Sequence, residues 1–154
     1  MTSSLLYEGL CRCRAVGFEY RTALAPKDWS IRACQCSFCR THAALSTSDP
    51  AGSLEFVEHV PGAFQRYQFG HKTADFFLCR HCGTYIGAAM RSGSKDFGII
   101  NVRALQPLVG KIAEPVPMDY DAEASTERLA RRESRWTPLA APVISAGTRP
   151  RTTV

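Results

Sequence analysis

The run Cys34-Gln35-Cys36-Ser37-Phe38-Cys39-Arg40 constrains this chain more than any other stretch, because it holds three thiols within six residues. Disulfides among its own members would be severely strained, since partners need Cβ atoms about 3.5–4.5 Å apart and a fixed dihedral. A metal ion suits the same crowding, because it gathers thiolates at roughly 2.3 Å from a common centre. Four further cysteines lie in two outlying pairs, Cys11/Cys13 and Cys79/Cys82. Seven thiols divide as four plus three: one closed metal cage, and one cage with an open position.

The chain does not need metal merely for want of a core. At 154 residues it reads as one domain, and a chain of that length buries roughly 70% of its unfolded surface. An odd number of cysteines fits poorly with a fully paired secreted framework. Residues 1–8 carry neither the basic nor the apolar stretch of a signal peptide. No window approaches the ~20 apolar residues that cross a bilayer. The expectation is a reducing, cytoplasmic setting without a membrane. The net charge of +5 is modest and its basic residues are scattered, which argues against nucleic acid as a partner.

Alternation of apolar and polar residues predicts short strands. Val16, Phe18 and Tyr20 share one face, and Trp29, Ile31 and Ala33 lead into the Cys34 loop. Leu54 and Phe56 mark another strand, with residues 64–69 read as the return strand of a hairpin. Phe76 to Leu78 leads into Cys79, Tyr85 to Met90 leads away from Cys82, and residues 97–102 form a buried strand. Residues 25–28, 49–52 and 91–95 are turns. After Pro117 the pattern changes. Residues 122–136 predict a helix capped by Asp121, with a Glu127/Arg131 pair. Its arginines 128, 131, 132 and 135 read as a solvated face. The sum is a mostly β fold with a C-terminal helix, a single zinc-binding, catalytic-type domain over residues 1–136, and a mobile tail over 137–154.

On an extended strand Cys11 and Cys13 would point to one face, while Cys79-Arg80-His81-Cys82-Gly83 is a knuckle whose sulfurs converge. Together they make a four-thiolate structural zinc cage. Cys34, Cys36 and Cys39 then supply three ligands, the pattern zinc uses for chemistry, with the fourth place open to water or an incoming thiol. Arg32, Arg40 and Lys72 are candidates to offset charge nearby. A rival grouping joins Cys36/Cys39 with Cys79/Cys82 as a zinc ribbon and leaves Cys11, Cys13 and Cys34 loose. A third reading takes the thiols as reactive or redox-active. His42 and His81 are left outside the ligand sets.

Three motifs, in order and at the right separation, resemble the glutathione-dependent formaldehyde-activating enzymes, a family that shares its domain with centromere protein V. They are Gly9-Leu10-Cys11-Arg12-Cys13, the Cys34 loop, and Phe77-Leu78-Cys79-Arg80-His81-Cys82-Gly83-Thr84. The likeness runs from Tyr7 to Leu108, and more weakly over residues 120–139. It implies a zinc-binding β-tent type fold, and the four-plus-three division with Cys11, Cys13, Cys79 and Cys82 structural. It also implies that Cys34, Cys36 and Cys39 are the glutathione-linked catalytic site. The implied activity is that of a carbon–sulfur lyase joining glutathione, or another small thiol, to a small aldehyde such as formaldehyde. Arg14 stands where the family most often has glycine, and Gln35 where it often has histidine. The segment Tyr67-Gln68-Phe69-Gly70-His71-Lys72 resembles the centromere-protein branch. The alternative is therefore a non-enzymatic, zinc-stabilised binding module for protein or nucleic acid, with His42 or Asp75 as a fourth ligand at the trio.

Overall fold

Two sheets of unequal size share the apolar residues that the alternating strands turn inward. The computed structural model describes residues 3–106 and 110–141. The smaller sheet is antiparallel, with β2 (Val16–Thr22) between β1 (Leu5–Leu10) and β5 (Ser53–Glu58). The larger runs in the order β10 (Val116–Met118), β3 (Arg32–Cys34), β4 (Ser46–Thr47), β9 (Lys95–Asn101), β8 (Tyr85–Ser92), β7 (Asp75–Cys79) and β6 (Phe64–Tyr67). A further strand, β11 (Thr137–Pro138), pairs with β9. All pairings in the larger sheet are antiparallel except β10 with β3.

Val16, Phe18, Tyr20 and Leu54 from the smaller sheet form one apolar cluster with Phe77, Ile86 and Ile100 from the larger. Each large side chain so buried contributes about 1.5–3 kcal/mol. The sheets meet closely at Gly87, where a Cβ would lie 2.9 Å from the Phe56 ring of the smaller sheet, and 2.3 Å from the Ile99 carbonyl oxygen of the neighbouring strand in its own sheet. A second cluster, with Phe38, Phe76, Tyr85, Met90, Ile99 and Trp136, lies under the two helices, α1 (Ser37–Thr41) and α2 (Ser125–Arg135). No helix among the described residues is long and apolar enough to cross a membrane.

The mostly β architecture with one late helix agrees with the strand pattern, and four details differ. Residues 64–67 do not fold back on β5; they pair with β7 at the edge of the larger sheet. Helix α2 starts later than expected, behind Ala124, which offers no side-chain cap, so Asp121 is not the N-cap. Arg131 pairs with Glu123 at 2.9 Å rather than with Glu127. Residues 137–139 belong to the sheets: Thr137 is fully buried, and Leu139 bridges to Leu54. The remainder of the expected tail, residues 142–154, lies outside the described residues.

Candidate metal centres

Cys11, Cys13, Cys79 and Cys82 come together with all four sulfurs within 4.8 Å of one another. Cys11 and Cys13 sit 3.7 Å apart, and Cys13 and Cys79 3.6 Å. Sulfurs at the corners of a tetrahedron around zinc are separated by about 3.8 Å, given a bond of about 2.3 Å, so the cluster has the dimensions of a zinc cage. Four clustered thiols cannot all ionise without a cation among them. Burial, above all, pushes the Cys79 thiol up to about 12. Backbone N–H groups of His81 and Cys82 donate to its sulfur at 3.4 Å, and Gly83 takes φ +78°, closing the knuckle as its sequence predicts.

The first pair is presented differently from the expectation. Cys11 and Cys13 are not on an extended strand; they lie in the turn between β1 and β2, closed by Arg14 N–H donating to the Cys11 carbonyl at 3.0 Å. Arg14 is held at φ +69°, left-handed backbone that costs an L-residue about 1–2 kcal/mol. Glycine adopts such a backbone without that cost. Arg14→Gly is expected to stabilise the protein by about 0.5–1 kcal/mol, a rise of a few degrees in Tm by thermal unfolding. An unchanged or lower Tm would count against strain at this turn.

Cys34, Cys36 and Cys39 form the second group, again within 4.8 Å. Cys34 ends β3, Cys36 caps α1 by accepting the Cys39 N–H at 3.4 Å, and Cys39 is buried in the first turn. Three thiols this close cannot all ionise without a cation among them. Hydrogen bonds from Cys34 and then Cys39 draw Cys36 down to about 2, while Cys34 is raised first by its bond with Cys36, and Cys39 by its bonds with Cys34 and then Cys36. Three clustered cysteine sulfurs are a soft donor set that suits zinc. His42 and Asp75 are engaged elsewhere: His42 Nδ1 meets the Phe38 carbonyl at 2.9 Å, and Asp75 meets Arg66 at 3.6 Å and Gln68 at 2.8 Å. His81 stays outside the four-cysteine group.

The trio lines a cavity of about 90 Å³ together with Phe69, His71, Phe76 and Trp136. Arg32, Arg128, Arg131 and Arg132 line it too, whereas Arg40 and Lys72 are exposed and do not. Helix α2 is therefore not a solvated bystander. Arg132 Nη1 donates to Thr73 Oγ1 at 2.7 Å, its guanidinium lies 4.8 Å from the Trp136 ring centroid, and Ser125 Oγ meets His71 Nδ1 at 3.0 Å. Burial first, then Arg131 and Arg128, pushes Arg132 down to about 10. The Tyr85 hydroxyl, buried without a partner, also feels the three sulfurs. The sequence held a signal for the arginines. Between 125 and 135 only Leu129 and Ala130 are apolar, so the packed stripe at positions 129, 132 and 136 had to include Arg132.

Residues 6–120 match the family model described as glutathione-dependent formaldehyde-activating enzyme. A crystal structure of a Rhodobacter sphaeroides protein, a structural-genomics target, is 30% identical with a TM-score of 0.55, covering 72% of this chain and 99% of that one. No curated protein matches the chain at a significant level.

Proposed function

The chain belongs to the glutathione-dependent formaldehyde-activating enzyme family, and from that premise we propose that it is a zinc-dependent carbon–sulfur lyase acting on a thiol–aldehyde adduct. The substrates are glutathione or another small thiol and a small aldehyde, formaldehyde in the simplest case. The observation that carries the reading is the three-cysteine cluster set in the wall of a cavity. Cys34, Cys36 and Cys39 are the residues that would hold the catalytic ion, and Cys11, Cys13, Cys79 and Cys82 the structural one. Zinc, when bound, lowers the pKa of a coordinated thiol so that the thiolate is available as nucleophile.

The chain's own part is to collect and orient. Cys34, Cys36 and Cys39 would release their protons as the ion arrives, because thiolates are the zinc ligands. Phe69, Phe76 and Trp136 present apolar walls that limit water beside the reacting sulfur. In the forward direction the thiolate sulfur bonds to the carbonyl carbon, the C=O π pair moves to oxygen, and oxygen takes a proton. In reverse the oxygen loses that proton and the C–S bond breaks to expel the thiolate. All seven cysteines are free thiols, which suits a reducing, cytoplasmic setting.

Two-dimensional exchange NMR of a glutathione–formaldehyde mixture tests the reading. Stoichiometric zinc-loaded protein is expected to accelerate exchange between free thiol and adduct. Exchange at the uncatalysed rate, in protein that carries two zinc ions per chain, would overturn it.

A further inference from the structure

Buried charges are normally paired, because an isolated one forfeits its hydration. Arg132 is only 6% exposed and Arg32 only 8%, and both line the cavity beside the cysteine trio. Among the described residues, neither lies within ion-pair distance of a carboxylate. Arg132 spends one nitrogen on the Thr73 hydroxyl while its Nε has no partner, and Arg32 donates to the Ser48 hydroxyl at 2.7 Å. Glu123 is already held by Arg131 through two hydrogen bonds and by Arg128, and Asp121, the carboxylate in the cavity lining, is not within ion-pair distance of Arg132 or Arg32.

The trio supplies only part of the missing charge. Three thiolates around a divalent ion leave a single negative charge; with Asp121 in the cavity lining and Glu123 beside it, three negative charges face the four guanidiniums of Arg32, Arg128, Arg131 and Arg132, and one stays uncompensated. Helix α2, which carries Arg132, lies beyond residues 6–120, the segment that matches the family model.

We infer that Arg132 and Arg32 form a carboxylate-binding subsite over the three cysteines, so that one of the two substrates carries a carboxylate near the carbon that bonds to sulfur. This rests on the lyase reading for its account of that carbon. The carboxylate comes either from the thiol, as glutathione's does, or from an oxo acid that serves as the aldehyde. A guanidinium is the side chain suited to it, since its planar fork matches a carboxylate.

The test uses the zinc-loaded full chain and two matched pairs: 3-mercaptopropionate against 3-mercapto-1-propanol, and glyoxylate against glycolaldehyde. Emission from Trp136, which packs on Arg132, and calorimetry read the affinity. The charged member of one pair is expected to bind about 10–100-fold more tightly than its neutral partner. Preference in the thiol pair assigns the carboxylate to the thiol; preference in the aldehyde pair assigns it to an oxo acid. Arg132→Met, which keeps the stem on Trp136, is expected to erase the preference, and Arg132→Lys to restore part of it. The inference is overturned if neither pair shows a preference in the wild-type chain. It is equally overturned if the preference survives in both Arg132→Met and Arg32→Met. Glyoxylate has no thiol, so an arginine-dependent preference for it with no thiol binding would sink the lyase reading and leave the subsite standing.

Discussion

Cys79→Ser is expected to lower the Tm by about 15–20 °C or more and to leave one zinc ion per chain instead of two. Cys79 is 1% exposed at the end of β7 in the larger sheet. Its partners Cys11 and Cys13 lie in the turn that joins β1 to β2 in the smaller one. The cage therefore crosses from sheet to sheet, where it reinforces a core interface rather than a local loop. Structural zinc contributes about 10–16 kcal/mol in small peptides, against a total stability of about 5–15 kcal/mol for a typical domain. Losing even about 5 kcal/mol of it outweighs any surface effect. Thermal unfolding followed by circular dichroism, with metal analysis of the same samples, reads both numbers. A Tm within a few degrees of wild type, with two zinc ions retained, would show that these four sulfurs do not share a structural ion.

What the sequence made legible follows from the range of the forces involved. The alternation of Val16, Phe18 and Tyr20, the knuckle at Cys79 and the crowding at Cys34 are short-range patterns, and each appears where the residues predict it. The partner of β6 was not legible. Whether Phe64 pairs with β5 or with β7 is a choice between sheets, decided by packing over the whole core and not by local alternation. Arg14 was visible as a departure from a glycine, but only its φ of +69° shows that the turn between β1 and β2, not a strand, presents Cys11 and Cys13. Arg128, Arg131 and Arg132 of α2 were misread for a related reason, while Arg135 is exposed as expected. Charge density suggests solvent, yet a helix with two apolar residues can dock only by burying the stem of something polar, and Arg132 does so on Trp136.

Cys36→Ser is expected to return glutathione–formaldehyde exchange to its uncatalysed rate while the fold survives. The substitution separates two jobs that one side chain performs. Cys36 caps α1 by accepting the Cys39 N–H, and serine is among the best N-cap residues, so the helix turn keeps its acceptor. As a metal ligand the same change is severe, because a hard, weakly acidic hydroxyl replaces one of only three soft sulfur donors. The trio also lies within six residues of sequence, so its ion ties no sheet to another. The Tm should move by no more than about 2–4 °C, the equivalent of about 1 kcal/mol in a chain of this size. Metal analysis should then find one zinc ion per chain, held by Cys11, Cys13, Cys79 and Cys82, with exchange lost. If exchange persists in Cys36→Ser with that ion gone, the carbon–sulfur chemistry does not use this cluster. If the protein unfolds instead, the trio supports the structure as much as the four-cysteine cage does, and the division of labour between the two clusters is wrong.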